Sequence, residues 1–193
     1  MKNQCIHAPA PAGRRKHPAR FSLATVVIAL LALIQLPATA DPVDELDKEN
    51  GYGGVLFGSP TSALPAADFK ETFRSKSGRY RIMAPKKNDH KFEGEPVQEV
   101  CYFFFDDKFY SVYLKLADRD TANRIATTVF NKYGKAPSEG NYGPSYYGAM
   151  VGMEIFSKQS DVEPRVVIKS LPLYNIWHRW KFSGLEPDLK NQF

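Results

Sequence analysis

The chain has 193 residues and a formal net charge of +5, a length that suits one ordinary domain or at most two small ones. Five of its 26 Lys and Arg, and none of its 21 Asp and Glu, lie in residues 1–40, so residues 41–193 are electrically neutral. That excludes a nucleic-acid binder, which needs a basic surplus on the folded part. A content of 43% hydrophobic and 13% aromatic residues excludes disorder over most of the chain.

Residues 1–40 have the three parts of a secretory signal in order. A basic, polar stretch ends at Arg20. Phe21 to Leu36 is uncharged and mostly apolar. Pro37 then breaks the helix, and Ala38-Thr39-Ala40 offers the small residues that a signal peptidase reads. Cleavage is expected after Ala40, which makes the protein periplasmic or secreted, with membrane contact only through the leader. The apolar run is shorter than the roughly 20 residues of a spanning helix; an uncleaved leader that anchors the protein is the alternative. Arg14-Arg15 is followed by Lys16-His17-Pro18, where a twin-arginine signal prefers an apolar residue, so the general secretory route fits better. A lipid anchor needs a Cys after the apolar run, and Asp41 stands there.

Residues 41–50 are acidic with scattered apolar positions and are expected to form a flexible tail. The domain proper is expected over 51–183. Val55–Phe57 reads as a short strand between glycine turns. Pro65 to Phe73 reads as a short helix, with Pro65 in its first turn and Phe69 and Phe73 four apart on one face. Tyr80–Met83 is a short strand, and Lys86 to Glu95 a charged loop.

Val97–Phe105 and Phe109–Leu116, joined by Asp106-Asp107-Lys108, predict a β-hairpin. Tyr110, Val112, Leu114 and Leu116 fall on one face by strict alternation. Tyr102–Phe105 is apolar on both faces, which places that strand centrally. Asp118 to Tyr133 predicts an amphipathic helix from Ala122, Ile125, Ala126, Val129, Phe130 and Tyr133, capped by Asp118 or Asp120 and ended by Gly134 and Pro137. Ser138 to Gly148 reads as a loop. Ala149–Phe156 and Arg165–Leu171 read as strands. Tyr174, Ile176, His178, Trp180 and Phe182 then alternate, predicting an extended aromatic strip. Residues 184–193 are expected to form a frayed C-terminal tail.

Strands in adjacent runs interrupted by helices mean α+β. An antiparallel sheet of four to six strands is expected, with one long and one short helix packed on it, one face covered by the long helix and the other partly open. In plan the chain resembles small exported bacterial domains of the β-lactamase-inhibitor-like and outer-membrane-assembly-lipoprotein kinds. The residues that carry the resemblance are Gly54-Val55-Leu56-Phe57-Gly58, the hairpin pieces Tyr102-Phe103-Phe104-Phe105 and Lys108-Phe109-Tyr110-Ser111-Val112, and Tyr133-Gly134-Lys135-Ala136-Pro137. The chain lacks the lipidation Cys of the assembly lipoproteins and the paired cysteines of the inhibitors. The resemblance implies protein–protein binding, by analogy of fold.

Signs of catalysis are sparse. After the leader, Cys101 is the one cysteine, so no internal disulfide forms. Its apolar neighbours predict a buried, inert thiol. His90 and His178 are far apart in sequence and sit in no nucleophile or zinc motif. Asp106-Asp107 and Asp118/Asp120 flank one strand and would stand some 20–30 Å apart at ~3.3 Å per residue, which suits a turn and a cap rather than an acid–base pair. No catalytic residue, metal site or cofactor is expected. Tyr142, Tyr146, Tyr147, Trp177 and Trp180 are the candidate binding residues, since Tyr and Trp combine contact area with a polar handle. The expected function is therefore an exported, non-catalytic domain that binds a protein or another cell-envelope component through an open sheet face or the aromatic loop. A small periplasmic hydrolase or ligand-binding enzyme using His90 or His178 is the alternative.

Overall fold

A computed structural model describes residues 42–158 and 161–183. The expected leader over 1–40 and the expected tail over 184–193 lie outside the described residues. The order is α1 (Pro42–Glu49), β1 (Gly51–Tyr52), β2 (Val55–Leu56), β3 (Phe69–Arg74), β4 (Tyr80–Pro85), β5 (Lys91–Phe92), β6 (Glu95–Pro96), β7 (Glu99–Phe105), β8 (Lys108–Lys115), α2 (Arg119–Tyr133), β9 (Ser138–Glu139), β10 (Pro144–Tyr147), β11 (Val151–Phe156), β12 (Arg165–Ser170) and α3 (Leu171–Phe182). The class is α+β. The main sheet has eight strands in the order β3-β4-β7-β8-β12-β11-β10-β9, every pair antiparallel. It is wider than expected because the stretches read as a helix before Gly78 and as a loop before Gly148 both contribute edge strands.

The inner face carries the larger core. Tyr102, Phe104, Phe109, Val112, Leu114, Met153, Ile155, Val166 and Ile168 pack there against Ile125 and Val129 of α2. Asp118 caps α2 by accepting the Thr121 N–H at 2.7 Å, and Gly134 ends it at φ 73°. That left-handed turn is one that glycine adopts without strain. Phe130, expected in the apolar stripe, is exposed. It stands next to Val129 and points off the buried face.

Two β-bulges decide which aromatics face outward. The register of β7 on β8 shifts so that Phe104 pairs with Phe109 and Phe103 with Ser111. Tyr110 and Ser111 therefore both point outward, and Tyr110 leaves the face of Val112 and Leu114 that simple alternation assigned to it. The register of β3 on β4 shifts between Glu71 and Phe73. Phe69 thus packs in the inner core and Phe73 in the outer one. The segment expected as a short helix is a strand because sheet pairing outweighs its local helical spacing.

Residues 42–49, expected as part of a flexible tail, form α1. Leu46 is buried at 2% exposure in the inner core. Asp47 accepts three backbone N–H bonds, from Ala149 at 2.6 Å, Met150 at 2.9 Å and Val151 at 2.8 Å. One apolar anchor and one carboxylate dock the helix, and neither makes a periodic pattern. The aromatic strip expected to be extended is α3. Pro172 lies in its first turn, where a missing N–H costs nothing, and Leu173, Trp177 and Trp180 share one face at helical spacing. Among the described residues no helix is long and apolar enough to cross a membrane.

Candidate functional site

α3 covers only part of the outer face. Trp177 stacks on Tyr110 at 5.4 Å and on Tyr80 at 6.3 Å, and Trp180 meets Phe105 at 4.8 Å. Beyond this seam the outer side of β8, β12 and β11 is open, and a groove of about 530 Å³ runs along it. Its floor is Val167 and Ser111, and its walls include Phe103, Tyr110, Tyr113, Phe156, Tyr174 and Trp177.

Cations are fixed along these walls. The buried Lys169 Nζ lies 2.7 Å from Glu154 Oε1 and 4.3 Å above the Tyr174 ring. The Arg165 guanidinium lies 4.1 Å from the Phe156 ring centre and 5.7 Å from that of Tyr113. The Lys181 ammonium lies 5.1 Å from the Trp177 ring, and partial burial pushes its pKa down. Glu154 also accepts the Tyr147 hydroxyl. At the rim, Glu163 accepts from Tyr113 and pairs with Lys115. Those two partners, with Lys115 first, hold its carboxyl below the usual range.

Two other hollows lack this combination. A gap of about 230 Å³ under the β1–β2 hairpin is lined by core residues such as Leu46, Tyr133 and Met153. A hollow of about 470 Å³ beside α2 is bounded by Phe130, Tyr146 and Lys158.

The five aromatics singled out in the sequence do not form one exposed patch. Tyr142 and Tyr147 are exposed at 49% and 40%. Tyr147 joins the groove through Glu154, and Tyr142 packs on Phe156 at 5.4 Å. Tyr146 is only 1% exposed. It alternates with Tyr147 along β10, points inward onto Tyr133 and donates to the Gly134 carbonyl. Trp177 and Trp180 are buried, at 7% and 9% exposure, because the helical turn aims both at the sheet. Trp177, expected to be exposed, still contributes a wall of the groove.

Cys101 is half-buried rather than in the inner core. Its neighbours Val100 and Tyr102 take the inward positions, so its thiol faces the groove, 3.5 Å from Glu99 Oε1. Burial, with the Glu99 charge added, pushes its pKa up to about 12, so the thiolate is scarce at neutral pH. Neither histidine lines the groove. His90 precedes β5, and His178 is exposed on α3 with its ring 4.5 Å from Phe182. Asp106 pairs with Arg79, and Asp107 accepts from Thr61, so these carboxylates pin the hairpin turn. Among the described residues no group of three or more His, Cys, Asp or Glu side chains is placed to hold a metal ion.

Sequence reasoning missed Arg165, Lys169, Glu154 and Tyr174. For the three strand residues the signal was alternation: residues 165, 167 and 169 share the face opposite Val166 and Ile168, and Glu154 lies between the inward Met153 and Ile155. No protein-family model, curated protein or solved structure matches the chain.

Proposed function

We propose that this is an exported, non-catalytic domain that binds a protein or another cell-envelope component through the outer face of its sheet. The observation that carries this reading is the open groove beside α3, lined by aromatic rings with cations packed against them. Fixed aromatic and guanidinium groups suit recognition, because little side-chain entropy is lost on binding. The groove's one thiol is held protonated, and the basic–apolar–small order of residues 1–40 supports export.

Site-specific photocrosslinking in the native host tests the binding surface. A benzophenone side chain at Val167 or Tyr147 should give discrete adducts, while the same group at the exposed Thr127 and Thr128 of α2 should not. Equal adduct patterns from both faces, or none from the outer face, would overturn it. Intact mass of the exported product tests the leader: a chain starting at Asp41 is expected, and full-length protein in the membrane fraction would contradict it.

A further inference from the structure

We propose that the outer-face groove binds a small amphipathic carboxylate, its apolar body lying along Val167 and its carboxylate on the Arg165 guanidinium. This rests on reading the outer face as the binding surface and names the ligand class. The groove, at about 530 Å³, lies within the roughly 300–1,000 Å³ that small-molecule sites span.

The walls first suggest an aromatic cage for a cationic ligand. The protein's own cations already fill it, since Arg165 lies on Phe156 and Tyr113, and Lys169 on Tyr174. A second cation would meet repulsion in a partly dry setting, so the charge preference turns to an anion.

Arg165 and Lys169 then differ. Lys169 is committed to Glu154 at 2.7 Å. Arg165 makes no ion pair among the described residues, and its Nε is out of water with no hydrogen-bond acceptor. Glu163, just before β12, lies within the field of Arg165, but its hydrogen bonds go to Tyr113 and Lys115. The guanidinium thus lies beside two rings, with the Tyr113 hydroxyl as a neutral hydrogen-bond neighbour and no carboxylate of its own. A planar guanidinium packed against rings matches a planar carboxylate. Val167 stands between Arg165 and Lys169 on the same face, one side-chain repeat from each. It gives the apolar body a floor, walled by Tyr110, Tyr174 and Trp177.

Titration calorimetry of the full chain with decanoate, decanol and decyltrimethylammonium tests this. Decanoate should bind saturably at one site, and the other two at least about tenfold more weakly, the usual effect of losing a charge-assisted hydrogen bond. Arg165→Gln should weaken decanoate at least about tenfold and leave decanol unchanged. Val167→Glu should abolish decanoate binding by setting a carboxylate in the floor. If Arg165→Gln fails to fold, Arg165→Lys keeps the charge, loses the fork and should still weaken decanoate severalfold.

Equal binding of decanol and decanoate, wild-type affinity in the Arg165 variants, or no saturable binding by the full chain would overturn the proposal. So would decyl phosphate binding where decanoate does not. Failure here with outer-face crosslinks retained leaves the binding-domain reading standing, whereas loss of both removes the two together.

Discussion

The carboxylate of Asp47 accepts backbone N–H bonds from residues 102 to 104 positions further along the chain. Hydrogen bonds to a charged group contribute about 1.5–3 kcal/mol each where both partners are ordered. Asp47→Ala should therefore lower stability by about 2–3 kcal/mol in urea unfolding, with Asp47→Asn losing less. Gly148 should be similarly sensitive. A Cβ there would stand 2.3 Å from Asp47 Oδ1, so Gly148→Ala should displace the carboxylate and lower the same midpoint. Carboxyls also set the acid limit. Arg79 holds Asp106 below its usual pKa, and the Thr61 hydroxyl does so for Asp107. A carboxyl whose pKa is lowered by folding stabilises above its unfolded value, about 3.9 for Asp, and that contribution fades as pH falls through the lowered folded value. Stability should thus be level near pH 6 and decline below about pH 4, with Asp106→Asn showing a shallower decline in thermal melts. At this scale the sequence was only partly legible. Turn and cap carboxylates follow from local rules, while Asp47 and Arg165 owe their roles to partners distant in the chain.

Among the elements, the central hairpin and α2 could be read because their signals are local and dense: β-branched and aromatic runs around a polar turn, and apolar residues at helical spacing. The aromatic strip could not, because Leu173, Trp177 and Trp180 fit a period of 3.6 as well as Tyr174, Ile176, His178, Trp180 and Phe182 fit a period of 2. Packing of Trp177 on Tyr110 decides it. The β7–β8 bulge was equally hidden, since an inserted residue leaves no mark in composition. It makes a sharp prediction. Tyr110 and Ser111 both face outward, so deleting Ser111 restores plain alternation and keeps Phe109, Val112 and Leu114 on the inner face. Deleting Tyr113 instead throws Leu114 outward. The Ser111 deletion should retain a cooperative thermal transition with modest loss, from its bond to the Ile168 carbonyl at 3.1 Å. The Tyr113 deletion should not fold.

For the molecule as a whole, class and central strands were visible in the sequence, but sheet width was not, because edge strands carry weak patterns. The long free edge, β3, bears Lys70, Glu71 and Arg74 and a bulge, devices that discourage pairing with another copy. Replacing Lys70 and Glu71 with Val and Thr should add larger, edge-paired species to those of the wild type in sedimentation velocity. A different consequence follows from the clasp between Asp47 and the turn before β11. Synthesis releases α1 first and the turn that donates to it about a hundred residues later, and closing so long a loop carries an entropy cost that only the assembled sheet offsets. α1 is thus made first and seated last. A growing chain that stops short of residue 151 leaves the inner core without its Leu46 plug, and because β12 lies between β8 and β11 the sheet closes only once residue 170 of the 193 has emerged.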